Sequence, residues 1–204
     1  MNLLYNTQNQ ITSSIEDFLK NNVSCLYRPQ KKIIPSIVFG MIMGETVVSQ
    51  DIARELKDDF PFIQLDSISR RIRRLLNNPR FNGYNFYKEV IQHVINNYKI
   101  KHPINRVHLT IDHMYCKENY TVLLISMKIG KQGIPVYFEC FKDIREPEVF
   151  YDETIIKAID NAYSLFKNKG FEIVFLANRW FNSQRVLKYI DDIGCTYCVR
   201  LKGI

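Results

Sequence analysis

Near Asn105 the apolar residues of this 204-residue chain change period, and that change constrains the fold more than any other feature. Before it, apolar positions recur every three or four residues, the spacing of one face of a helix. After it they alternate, the spacing of a strand that turns one face to a core. The order predicts a mixed α/β protein: a helical region over residues 1–100, then over 101–204 a mixed sheet flanked by helices.

Within the first region, Ser13-Ser14-Ile15-Glu16 offers a capping serine ahead of the run IEDFLKNN. Pro29 and Pro35 bracket Lys31-Lys32, read as a basic connector before a second apolar segment. In TVVSQDIARELKDDF, Val47, Ile52, Ala53 and Leu56 fall on one helix face, and Phe60-Pro61 ends it. A short connector, FIQL, leads to DSISRRIRRLLNNP, where Asp66 or Ser67 is placed to cap. There Ile68, Ile72, Leu75 and Leu76 form an apolar stripe that must be buried, and Arg70, Arg71, Arg73 and Arg74 cover the other faces. Two short helices joined by a tight connection, the second rich in Arg, outline a helix-turn-helix. A helical bundle with solvated arginines fits the same pattern.

In the second region, RVHLTID alternates Val107, Leu109 and Ile111. TVLLISMKI and IPVYFECF follow, joined by Gly130-Lys131-Gln132-Gly133, a good hairpin connection. A helix is expected from about Glu148 to Lys169, with Ile155, Ile156, Ile159, Ala162, Tyr163 and Phe166 inward and Gly170 as its stop. FEIVFLAN is nearly all apolar, as for a strand buried on both faces. A helix from Ser183 to Asp192, stopped by Gly194, and a last strand, CTYCVRLK, complete the order. Three strands in a meander followed by strand-helix alternation is the core order of RNase H-like domains.

Composition narrows the partners. The 28 Lys and Arg against 21 Asp and Glu leave a net charge of +7, with pI near 9.1. That balance favours a polyanionic partner without specifying one. The longest apolar stretch, Ile33 to Gly44, is about a dozen residues and is broken by Pro35-Ser36; a membrane helix needs about 20. MNLLYNTQNQ has no basic segment followed by an apolar one, so no secretory signal is read. Five cysteines, an odd count, fit reduced thiols. The expectation is a soluble cytoplasmic protein with no membrane association.

Two positions stand out for chemistry. Asp112 follows HLTI and reads as the end of the first strand, where a carboxylate can hold a hard divalent ion or serve as a turn aspartate. Leu176 to Phe181, LANRWF, runs an apolar strand into a polar residue, an Arg and two aromatics. In an RNase H-like sheet the first strand lies beside the fourth, which would bring Asp112 and Asn178 together. Two-metal phosphoryl transfer needs carboxylates at such a pair of positions. Asn178 supplies an oxygen without negative charge.

With LTIDHMY, MKIGKQGIPVYFECF, the helix preceded by EPE, and FLANRWFNSQRVLKYIDDIGCTYCVRLKG, the sequence resembles a DDE transposase of bacterial insertion sequences, the cut-and-paste type with an RNase H-like catalytic domain. The resemblance covers about residues 105–204; the helical part matches only in general character, as the family's DNA-binding region. It implies that Asp112 is the first catalytic and metal-binding Asp. Asn178 stands where the second Asp belongs, and Tyr197 to Lys202 match the strand that follows. The third acidic residue, a Glu, lies on a helix well beyond that strand, and the sequence stops at Ile204. Mg²⁺, double-stranded DNA (element terminal repeats and target), a homodimer in the synaptic complex and a nucleoid-associated bacterial setting are implied likewise. So is an inactive or truncated copy.

Cys195-Thr196-Tyr197-Cys198, with His108, His113 and Cys116, has zinc-ligand residue types. Residues three apart in a strand point to opposite faces, so buried, inert thiols are the better reading. Glu146-Pro147-Glu148 forms an acidic first turn that suits a helix dipole or lies near substrate. Arg179, Arg200 and Lys202 are placed to meet DNA phosphates or solvent, and Trp180 and Phe181 read as core before base-stacking residues. Three classes remain: a transposase that cleaves and joins DNA, a non-catalytic DNA-binding remnant of one, and an unrelated RNase H-like nuclease or structural protein.

Overall fold

The computed structural model describes residues 2–58, 60–101, 105–116, 120–142 and 152–200. The chain divides into two compact units, Met1–His93 and Val94–Ile204.

The first unit is helical: α1 (Asn2–Asn22), α2 (Arg28–Gly44), α3 (Ser49–Glu55), α4 (Leu65–Leu76) and the start of α5 (Gly83–Lys101). α1 packs on α2, α2 on α3 and α3 on α4. Leu19 and Val23, Ile34 and Ile37, Ile52 and Leu56, and Ile68 and Ile72 bury the apolar stripes against one another. Gly40 sits where α2 meets α3; a Cβ there would come within 2.9 Å of Ile52 Cγ2 and 3.2 Å of Leu56 Cγ. The missing side chain is what permits this approach. The Glu89 carboxylate closes the α1–α2 loop, accepting from the Ser24 N–H at 2.5 Å, the Ser24 hydroxyl at 2.8 Å and the Cys25 N–H at 3.3 Å. No single described helix is long and apolar enough to cross a membrane.

Several expectations for this unit are corrected. Ser13 and Ser14 cap nothing, because α1 runs through them. The Ser14 hydroxyl bonds the Gln10 carbonyl four residues back at 2.8 Å, the way a mid-helix serine satisfies itself. Lys31-Lys32 is no connector: Pro29 lies in the first turn of α2, where a proline loses no hydrogen bond, and Pro35 is inside the helix. Pro35 is buried, and its apolar contacts offset a missing N–H. Neither Asp66 nor Ser67 caps α4, which starts one residue earlier after Gln64, leaving Asp66 in its first turn. Val47, ahead of α3, is 79% exposed, and Leu76, at the end of α4, is 59% exposed. Both lie at helix ends, where the apolar period outlasts the surface it faces. The α3–α4 connection spans Leu56 to Gln64, longer than the three or four residues of a helix-turn-helix turn.

The second unit is a mixed sheet with helices packed on it: β1 (Arg106–Cys116), β2 (Tyr120–Ile129), β3 (Gln132–Lys142), α6 (Asp152–Ser164), β4 (Glu172–Ala177), α7 (Gln184–Asp192) and β5 (Thr196–Val199). The strand order is β3-β2-β1-β4-β5, with β1 antiparallel to β2 and β2 to β3, and with β1 parallel to β4 and β4 to β5. Val107, Leu109 and Ile111 of β1 share a buried face with Ile125 and Met127 of β2 and Ile173 and Phe175 of β4. α6 packs on β2 and β3, α7 on β5, and the two helices touch. Across them the Ser183 hydroxyl donates to Asp152 at 2.8 Å and the Tyr189 hydroxyl to Asp160 at 3.1 Å. The β2–β3 hairpin closes through Gly130-Lys131, with Gly130 at φ +59°, a value suited to a glycine at the first central position of a II′ turn.

Here too the structure differs in detail. β1 does not end at Asp112 but continues to Cys116, because antiparallel pairing with β2 carries it past the end of β4. α6 ends at Ser164, short of Lys169, and Asn168 (φ +64°) and Gly170 (φ +69°) turn the chain into β4. Only Ile173 and Phe175 of β4 are fully buried; Val174 and Leu176, on the opposite face, are half-buried. Glu146, Pro147, Glu148 and Lys202 lie outside the described residues, as does the side chain of Trp180.

Candidate functional site

The parallel half of the sheet sets up the site. β1 and β4 pair with Ile111 opposite Ala177, and β4 and β5 with Ala177 opposite Val199. One residue further along each strand stand Asp112, Asn178 and Arg200, in neighbouring registers. The Arg200 N–H bonds the Ala177 carbonyl at 3.1 Å, so the β5 backbone keeps this register past its last strand residue. β1 is central, so its residue 112 stands where its parallel partner stops and its antiparallel partner, with Leu124 opposite, goes on.

Asp112 is exposed, and its Oδ1 accepts the His113 N–H at 2.9 Å. Asn178 is half-buried and begins a single 3-10 turn, its carbonyl accepting the Phe181 N–H at 3.2 Å. Phe181, 2% exposed, anchors that turn; its ring centroid lies 6.2 Å from that of His113, which meets Tyr115 edge-on at 5.5 Å. The core reading of Phe181 therefore holds. Arg179 and Arg200 are both exposed. Of the zinc-type residues, Cys195 is buried and Cys198 exposed. Burial pushes the Cys195 thiol up to about 11.

The donor set decides what this edge can hold. Mg²⁺ takes near-octahedral oxygen ligands and is bound through carboxylates. Two ions about 4 Å apart need bridging carboxylates to balance their charge. Among the described residues, the three in register here are one carboxylate (Asp112), one neutral amide (Asn178) and, in the next register, a guanidinium (Arg200). These residues do not fit a pair of Mg²⁺ ions. Among the described residues, no group of three His, Cys, Asp or Glu is placed to hold a metal.

The other candidate residues belong to the helical unit. Arg70, Arg71, Arg73 and Arg74 of α4 are all exposed, opposite the buried Ile68, Ser69, Ile72 and Leu75. Arg73 donates to the Ser69 hydroxyl at 3.3 Å, and Ser69 to the Ser49 hydroxyl of α3 at 3.3 Å, so Arg73 is steadied. Arg73 and Arg74, in the last turn, and Asp66, in the first, complement the helix dipole. Sequence reasoning missed the basic first turns of α2. The signal was Pro29, which suits the first position of a helix as well as a loop.

No protein-family model matches the chain, and no curated protein matches it. Solved structures do. The catalytic domain of Mos1 mariner transposase is 11% identical, with a TM-score of 0.35 over 54% of this chain and 56% of that one. The same catalytic domain with raltegravir and Mg gives 12% identity and a TM-score of 0.34 over 54% of this chain and 57% of that one. A Mos1 transposase paired-end complex with the left transposon end gives 11% identity and a TM-score of 0.34 over 79% of this chain and 56% of that one. The match thus spans little more than half the length of these proteins.

Proposed function

We propose that the chain is a DNA-binding protein of the DDE-transposase type, of cut-and-paste insertion-sequence character, whose sheet edge does not support two-metal strand cleavage. The observation that carries this reading is the register of β1, β4 and β5, which lines up Asp112, Asn178 and Arg200. In an RNase H-like sheet this is the edge where the family resemblance expects its first two carboxylates. Here the second is an amide, and a cation stands beside it. That charge arrangement suits a phosphodiester better than a pair of divalent cations. α4 supplies the sequence-independent part of DNA affinity through its exposed arginines. Transposon ends as ligand, and pairing of two copies on them, complete the proposal.

The test uses the whole chain on supercoiled plasmid DNA with Mg²⁺ or Mn²⁺, beside a labelled duplex followed by fluorescence anisotropy in EDTA. Binding without nicking is the expected result. Nicking that Asp112→Ala abolishes would overturn the non-catalytic half of the reading, and failure to bind duplex DNA would overturn all of it.

A further inference from the structure

Two concavities of the helical unit share one residue, Lys32. The first, about 220 Å³, has an apolar floor that includes Ile37, Leu56 and Ile72, and is edged by Lys32 of α2 and Arg71 of α4. The second, about 430 Å³, is lined by Glu16 and Lys20 of α1, Leu26, and Arg28, Lys31 and Lys32 at the start of α2. Lys32 therefore borders both concavities, one reaching α1 and the other reaching Arg71 of α4.

Its charges are not spent internally. Lys31 is held by the Val23 carbonyl at 2.5 Å. Lys20, Arg28, Lys32 and Arg71 form no ion pair among the described residues. Against them the surface sets one carboxylate, Glu16. Clustered cations on rigid helices repel one another and hold a layer of counter-anions. A polyanion laid along them relieves the repulsion and releases those ions.

We infer that Lys20, Arg28 and Lys32 form a second phosphate-binding strip, which carries duplex DNA beyond α4 by tracking the backbone from Arg71 into the α1–α2 trough. The shared residue Lys32 and the excess of cations select duplex DNA, since Lys32 also borders the cavity edged by Arg71 on the helix already proposed to meet it. The inference rests on that duplex reading and adds residues to it.

The experiment compares the full chain with the triple variant Lys20→Ala, Arg28→Ala, Lys32→Ala, by anisotropy of a labelled duplex across a salt series. Each lost phosphate contact should lower the slope of log affinity against log salt by about 0.9, or about 2.7 for all three. Lys31 is left in place because it bonds the backbone. Lys20→Arg with Lys32→Arg should keep the parent slope. If the triple variant loses its helical circular dichroism, Lys32→Ala alone decides, with a drop of about 0.9 expected. An unchanged slope in a folded variant would sink the strip while leaving α4 as the contact. So would a variant that loses binding to phosphatidylserine vesicles but keeps its duplex slope. A parent chain that binds no duplex would sink both readings.

Discussion

In the sheet-bearing unit Arg106 bonds Glu172 at 2.8 Å, Lys157 bonds Glu139 at 3.1 Å and Arg185 bonds Glu153, whereas the four arginines of α4 stand exposed with no ion pair among the described residues. In the helical unit the described ion pairing is local, Arg54 with Asp51 on α3. Exposed ion pairs are worth less than about 1 kcal/mol each. Pairing therefore is not what holds the sheet, and its scarcity does not weaken the helices. Both units are held by apolar stripes, and what differs is the charge left over for a partner.

The widest expected effect concerns that leftover charge. Replacing Arg70, Arg71, Arg73 and Arg74 with Ala should lower the salt slope of duplex binding by about 0.9 for each arginine that touches a phosphate. It should shift the urea midpoint little, since all four are exposed. An unchanged salt slope would reduce these residues to a solvated face and erase the contrast between the units.

Next come the cores. Phe175→Ala, at a fully buried site between β1 and β5, should cost about 4 kcal/mol, and Ile72→Ala on α4 about 3 kcal/mol, both read by urea denaturation. Leu76→Ala, one helical turn beyond Ile72 on the same apolar stripe but exposed, should stay within about 0.5 kcal/mol. A Leu76 cost equal to that of Ile72 would mean that the face is covered in solution.

A smaller effect follows pH. Burial alone would raise the Glu89 carboxyl, but hydrogen bonds from Ser24 and Cys25 outweigh it and hold the group below the ordinary 4.5. A lowered folded value means the stabilisation is complete above that ordinary value and fades as pH falls through the lowered one. Urea midpoints taken downward from neutral pH should show this acid-side loss in the parent and lack its Glu89 share in Glu89→Gln. Identical profiles would sink the assignment. The smallest effect is expected from Glu172→Gln, which breaks the exposed pair with Arg106 and should cost less than about 1 kcal/mol. A larger cost would show that pairing does hold the sheet.

Much of this architecture is legible locally. The period changes near Asn105 and β1 begins at Arg106; Val107, Leu109 and Ile111 are buried as their alternation requires. Gly130 and Gly194 stop or turn the chain because both adopt positive φ, +59° and +74°, which other residues resist. The ends of elements were less legible. Pro35 reads as a helix breaker, yet it lies inside α2, where its burial offsets one lost bond. Asp112 reads as a strand end, yet β2 holds β1 extended for four more residues, through Cys116.

By itself the sequence determined which residues are helical or extended and which face of each element is apolar, because those properties depend on neighbours a few positions away. It also placed an amide at Asn178 and arginines on α4. Only the tertiary structure decided that Arg200 stands in register beside Asn178, and that Lys32 and Arg71 border one cavity. Strand register and helix approach are set by contacts between residues far apart in the chain. A local period states which way a side chain turns, not what it meets.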